Sequence, residues 1–144
     1  ENLTVKENLE IAGLTLDQKT LKQRIENSLS IFTALVPHLH RTPMKLSGGE
    51  RQLLTLAMAN LHQPKMLLID EPFTGLSPKN LILVSDSLKA INQNNKTTLL
   101  IAEQRVKERL SISTKVIALK LGKIFSLSEV SFTFNVHELN SVFI

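Results

Sequence analysis

Two short strings in this chain have the residue types and order for phosphoryl chemistry. Leu46-Ser47-Gly48-Gly49-Glu50-Arg51-Gln52 joins a hydroxyl to two glycines where a helix should begin. Lacking a Cβ, Gly48 and Gly49 let backbone N–H groups come close to an anion, and the positive end of the helix dipole favours phosphate there. Ser47 adds a hydroxyl donor. Taken alone, Ser47 to Glu50 is also an ordinary capping box. Twenty-three residues after Ser47, the pair Asp70-Glu71 closes an apolar run and is followed by Pro72. One carboxylate at a strand end can help hold Mg2+, usually through water, and its neighbour can polarise a water for in-line attack on a phosphoryl group. Two exposed loop acids are the plain alternative.

The elements that must position these groups follow from periodicity. Thr4-Val5-Lys6-Glu7 has the form of a capping box and predicts a helix ending near Gly13. Asp17 caps a second helix whose Leu21, Ile25, Leu29 and Phe32 mark one buried face, with Pro37 as its stop and a loop from Pro37 to Leu46. A third helix starts at Ser47, carries Leu53, Leu54, Ala57, Met58 and Leu61 on its apolar side, and ends at Gln63-Pro64. Met66-Leu67-Leu68-Ile69 is too short for a buried helix and reads as a strand covered on both faces, closed by Asp70. Ser77-Pro78 is an N-cap with proline at the first helical position, so a helix runs to about Asn92 before Asn94-Asn95 turns the chain. Thr97–Ala102 is a second buried strand, a short polar helix follows Gln104, and strands are expected at Val116–Leu119 and, after a Gly122 turn, from Ile124. The order predicts an α/β fold with a parallel sheet and a helical appendage. Val130, Phe132, Phe134 and Val136 alternate with polar residues, a half-buried strand pattern.

Composition narrows the class. The chain has 144 residues, no cysteine and no tryptophan; 42% are apolar and 21% charged. That describes one globular domain, or part of one, with an aliphatic core. Lack of cysteine excludes a disulfide scaffold and a thiolate zinc site and fits a reducing compartment. The longest aliphatic runs, such as Leu81–Val84 and Leu99–Ala102, are too short to span a bilayer. The polar, acidic N-terminus is neither signal nor transit peptide. It lacks an initiator Met, as a segment of a longer protein would. The net charge of +4 is scattered, without Tyr or Trp platforms, so a solvated basic surface is expected and nucleic-acid binding is not. His38, His40, His62 and His137 show no metal-ligand spacing and read as loop or surface histidines. Met44, Met58 and Met66 read as packing residues.

Together the strings resemble the ATP-binding cassette (ABC) ATPases over roughly Leu3 to Ile124. Leu46–Gln52 is similar to the family's signature motif, Met66–Pro72 to its Walker B strand, Thr74-Gly75-Leu76-Ser77-Pro78 to the D-loop and Thr98–Gln104 to the switch strand. The resemblance implies a partial P-loop NTPase fold: a helical subdomain over 1–46, the signature helix, Walker B and switch strands over 47–127, and a tail with small β elements over 128–144. In the family, two subunits sandwich two ATP molecules head to tail. Carried over, Ser47, Gly48 and Gly49 would bind the γ-phosphate of the opposite subunit's ATP, with Glu50 beside them. Asp70 would help place Mg2+, Glu71 would be the general base, Gln104 would stand at the switch position, and Ser77 would lie in the loop coupling the sites. Transmembrane permease subunits would be the partners of 4–46, at the cytoplasmic face of the membrane. Leu3–Leu9, Phe32, Pro37, Leu39 and Glu103-Gln104 look like the branched-chain amino-acid importer subunits.

Two departures qualify the resemblance. Gln104 replaces the family's usual His; neutral Gln donates to a phosphate oxygen but carries no charge, and it also suits the mere start of a helix. The phosphate loop requires G-x-x-x-x-G-K-[ST]. The single Gly-Lys pair, Gly122-Lys123, is followed by Ile124 and preceded at the required place by Ile117. The reading is therefore the C-terminal portion of a cassette, inactive and poorly soluble alone, whose open sheet edge a missing half would cover. Non-transport cassette ATPases of DNA repair or translation, and a non-catalytic interaction module or remnant, are the alternatives.

Overall fold

Every α-helix among the described residues begins on a side chain that caps it. Thr4, Asp17, Ser47 and Ser77 are extended residues whose side-chain oxygens accept the N–H three positions on. They open helices α1 (Val5–Ala12), α2 (Gln18–Ile31), α3 (Gly48–Asn60) and α4 (Pro78–Asn95). Pro78 occupies the first turn of α4, where its missing N–H costs nothing. The computed structural model describes residues 2–104 and 112–129. The chain forms two compact units, Glu1–Glu103 and Gln104–Ile144.

In the first unit, α3 is the hub: α1, α2 and α4 all pack on it. Its Leu53, Leu54, Leu56 and Ala57 are buried, as are Leu61 just past its end, Val5 and Leu9 of α1, and Val84, Leu88 and Ile91 of α4. Ser28 of α2 is buried as well, and its hydroxyl donates to the Ala57 carbonyl at 3.2 Å. Strands β1 (Met66–Asp70) and β2 (Thr98–Ala102) pair in parallel, with Asp70 opposite Ala102 at their C-terminal edge. At the other edge the fully buried Thr97 hydroxyl donates to the Pro64 carbonyl at 2.7 Å, and Asn92 Nδ2 donates to the Thr97 carbonyl at 2.9 Å. Asn95 Nδ2 donates to Asn60 Oδ1 at 2.8 Å, tying the ends of α3 and α4. In the second unit, β3 (Lys115–Lys120) and β4 (Lys123–Glu129) form an antiparallel hairpin. Leu121 and Gly122 both have positive φ, 51° and 73°, the conformation of a two-residue hairpin turn.

Several expectations change. Helix α2 stops at Ile31, not at Pro37: Phe32 leaves the helix (φ −96°, ψ 52°) and buries its ring. Pro37 lies inside a 3-10 segment, Thr33–His38, and a second covers Pro43–Lys45, so the expected loop is largely wound. Helix α4 runs on to Asn95, and Lys96, left-handed at φ 56°, makes the turn in place of Asn94-Asn95. The strands are not covered on both faces. Burial alternates along β1 and β2, and Met66, Leu68 and Leu100 are exposed. Met44 is also exposed rather than packed. The strand expected at Val116–Leu119 pairs with β4 in its own sheet instead of extending the parallel one. The polar helix after Gln104 and the alternating stretch from Val130 lie outside the described residues.

Candidate functional site

The helix start at Ser47 is a closed capping box with two donors left over. Ser47 Oγ accepts the Glu50 N–H at 3.3 Å, and Glu50 Oε2 accepts the Ser47 N–H at 2.7 Å. The Gly48 and Gly49 N–H groups belong to the first turn and have no partner within the helix. Ser47 Oγ accepts in the box, and its single O–H can turn either to the Glu50 carboxylate or to an incoming acceptor. Ser47 and Gly48 are exposed, and a Cβ built on Gly48 would meet nothing within 4 Å. Open space therefore lies beside Gly48, at the positive end of α3.

Gly49 is there for a different reason. It is buried, and a Cβ on it would fall 2.3 Å from Asn80 Cγ and 2.6 Å from Asn80 Cβ. The first turns of α3 and α4 touch at this point. Ser77 caps α4 by accepting the Asn80 N–H at 3.4 Å, so the Ser47 and Ser77 helix starts are neighbours. Sequence spacing alone gave no sign that positions 49 and 80 meet.

Glu50 is held from two sides. Its Oε1 lies 3.0 Å from His38 Nε2 while Oε2 serves the capping box. Hydrogen bonding from the Ser47 backbone holds its carboxyl below the usual carboxylate range, with help from the Ser47 hydroxyl and His38; partial burial opposes this. Arg51 Nη1 donates to the Leu46 carbonyl at 2.6 Å and fixes the approach to the helix. His38, read from sequence as a loop histidine, is a missed contributor; nothing in its local sequence marks it.

Asp70 is exposed at the C-terminal edge of the parallel pair, where open α/β sheets place ligands. Glu71 continues the ladder by one bond, its N–H donating to the Ala102 carbonyl at 2.9 Å. Its φ is 45°, left-handed for a residue that precedes proline and should be extended. Such a conformation costs on the order of 1–2 kcal/mol and often accompanies function. Glu71 Oε2 accepts the Thr74 hydroxyl at 3.1 Å, a second contact sequence reading missed. Gln104 is exposed and belongs to the second unit. No group of three or more His, Cys, Asp or Glu side chains is arranged to hold a metal among the described residues. A single carboxylate such as Asp70 fits Mg2+ that takes its other ligands from phosphates and water.

Comparison with known proteins identifies the family. The ABC transporter family model matches residues 1–74. A probable branched-chain amino acid transport ATP-binding protein of Archaeoglobus fulgidus, LivF, is 39% identical over 123 residues, 85% of this chain and 52% of that protein. Among solved structures, cbiO1 from Clostridium perfringens, part of the ABC transporter complex cbiONQ, superposes with a TM-score of 0.85 at 20% identity, covering 96% of this chain and 56% of that one. The dimeric bacterial ABC transporter cassette MJ0796 superposes with a TM-score of 0.74 at 22% identity, covering 90% and 57%. The chain therefore spans about half the length of the proteins it matches. It belongs to the ABC transporter family and is built on the α/β fold of that family's ATP-binding cassettes.

Proposed function

We propose that this chain supplies the signature and Walker B parts of an ATP-hydrolysing subunit of an ABC importer. The observation that carries the reading is the donor accounting at Ser47. The capping box satisfies the Ser47 and Glu50 N–H groups, leaves the Gly48 and Gly49 N–H groups without a partner inside the helix and the Ser47 hydroxyl next to them, and the space beside Gly48 is open. Those three donors suit the γ-phosphate of an ATP whose other phosphates are cradled by a second ATPase subunit, in a head-to-tail dimer. The dimeric solved cassette supports that partnership.

In the closed pair, the Ser47 hydroxyl and glycine N–H groups are donors fixed in advance around the transferring phosphoryl group. Glu71 orients and deprotonates the attacking water; its Thr74 contact and left-handed backbone fix the carboxylate beside the strand edge. Asp70 would hold Mg2+, which would supply charge neutralisation at the phosphates. Gln104 donates to a phosphate oxygen, and the Ser77 loop couples the two sites through the contact between the α3 and α4 starts. Residues 4–46 lie near the permease subunits at the cytoplasmic face. In this reading the subunit attaches to the membrane through the permease subunits; no helix among the described residues is long and apolar enough to cross a membrane. The similarity to LivF favours branched-chain amino acids as the cargo.

The test is Glu71→Gln in the assembly purified from cells through a tag on this chain. At saturating ATP the variant should retain ATP in a closed pair of ATPase subunits and lose turnover by roughly 10²-fold or more, the usual contribution of a general base. An assembly that turns over ATP at the wild-type rate contradicts the assignment of Glu71.

A further inference from the structure

The residue that completes the Ser47 helix start lies outside it, on the segment between α2 and α3. His38 ends the 3-10 segment Thr33–His38, and the residues after it are fastened to α1. The Lys6 N–H donates to the Leu39 carbonyl at 3.0 Å and the Val5 N–H to the Arg41 carbonyl at 2.9 Å. These are first-turn donors of α1 that no helical carbonyl can take. The Arg41 N–H in turn donates to the His38 carbonyl at 2.8 Å. From this anchored backbone His38 Nε2 reaches Glu50 Oε1 at 3.0 Å, while Glu50 Oε2 takes the Ser47 N–H at 2.7 Å. One carboxylate therefore bridges the α1-anchored segment and the α3 cap.

The bridge is better placed than a surface pair. The His38 and Glu50 side chains are 16% and 27% exposed, so water competes for the bond less than it does on an open surface. Arg51, next to Glu50, directs Nη1 to the Leu46 carbonyl. A glutamate with one oxygen tethered samples other rotamers; tethering the second oxygen removes that freedom. His38 Nδ1 is buried with no hydrogen-bond partner. A proton there would be a buried donor without an acceptor, whereas a proton on Nε2 makes the bond to Glu50 a donation and leaves only a lone pair at Nδ1.

We propose that His38 is a positioning residue for the Ser47-Gly48-Gly49 helix start: through Glu50 it fixes the Ser47 backbone and ties it to the position of α1. Its functional weight rests on the γ-phosphate reading of Ser47, but the positioning itself is visible without nucleotide. A displacement of α1 would pass through Leu39 and Arg41 to His38, and from there to the residues that would hold the anion.

The test is amide hydrogen exchange at Ser47, read by NMR on the full 144-residue chain without nucleotide, in the wild type, His38→Gln and His38→Phe. Gln keeps a donor for Glu50; Phe keeps the ring volume and removes it. His38→Phe should raise Ser47 exchange about tenfold, the loss of one net charge-assisted hydrogen bond, and His38→Gln should stay near wild type. Wild-type exchange in His38→Phe, or equal acceleration in both variants, overturns the proposal. Should His38→Phe fail to fold, the wild-type ring decides: its 15N spectrum above the imidazole titration should show the neutral ring protonated at Nε2, and a proton at Nδ1 overturns the proposal. Neither readout involves nucleotide, so the positioning can fail while the phosphate reading stands, and the reverse.

Discussion

Replacing Gly49 with alanine, and separately Gly48 with alanine, isolates two glycines that adjoin in sequence and do different jobs. An alanine Cβ at position 49 would lie 2.3 Å from Asn80 Cγ and Nδ2 and 2.6 Å from Asn80 Cβ, closer than real carbons approach. Asn80 Cβ is fixed to the α4 backbone, so α3 and α4 must separate. Forcing a methyl into a packed contact costs about 1–3 kcal/mol. Removing a helical glycine returns about 0.5–1 kcal/mol. The net loss for Gly49→Ala should be about 1–2 kcal/mol, or a fall in melting temperature of about 2–4 °C per kcal/mol for a chain of this size. At Gly48 nothing lies within 4 Å, so Gly48→Ala should be neutral or stabilise by up to about 0.5–1 kcal/mol. Urea unfolding of both variants measures the difference. Adding Asn80→Gly to Gly49→Ala removes the obstructing carbons, and a double-mutant cycle should show coupling of about 1 kcal/mol or more. Equal stability of Gly49→Ala and the wild type, or equal damage by both substitutions, would refute the packing argument.

Two further outcomes follow from buried and capped groups. Thr97→Val keeps the shape of a fully buried side chain and deletes the donor to the Pro64 carbonyl; it should cost about 1–2 kcal/mol in urea unfolding, and an unchanged midpoint would show that the bond contributes nothing. Hydrogen bonds from the Ser47 backbone hold the Glu50 carboxyl below its usual range, and those from Thr4 and Thr20 do the same for Glu7 and Asp17. A carboxyl lowered in the folded state contributes stability above its unfolded pKa, and that contribution goes as the pH falls through the folded value. Stability should therefore hold at neutral pH and drop below about pH 4–4.5, with Glu50→Gln flattening part of the drop. A Glu50→Gln profile parallel to wild type down to about pH 3 would contradict this.

Features carried by adjacent residues were readable without coordinates. All four helix starts are capping side chains with a helical pattern behind them, and β1 and β2 are aliphatic runs between turn residues. What escaped depends on contacts between distant positions. Pro37 is a stop signal by its chemistry, yet the burial of Phe32 ends α2 earlier. The aliphatic run of β1 reads as covered on both faces, but coverage depends on what packs against it, and Leu68 is 72% exposed. At the site, Ser47, Gly48, Asp70 and Glu71 were legible because motif and spacing are local. The contact of Gly49 with Asn80 and the bond from His38 to Glu50 were not, because each joins elements whose meeting only the packing of α3 decides. The left-handed Glu71 ran against the local rule, since Pro72 argues for an extended residue before it.

The central claim is that the Ser47 helix start receives the γ-phosphate of a neighbouring subunit's ATP. Orthovanadate with ADP mimics that phosphoryl group in transit, and ultraviolet light then cuts backbone at residues touching the vanadate. In the tagged assembly, mass spectrometry should place a cut in this chain at Ser47, dependent on nucleotide and lost in Gly48→Asp, whose carboxylate fills the opening and repels an anion. Cuts that avoid residues 47–49, or a Ser47 cut that persists without nucleotide, would contradict the account.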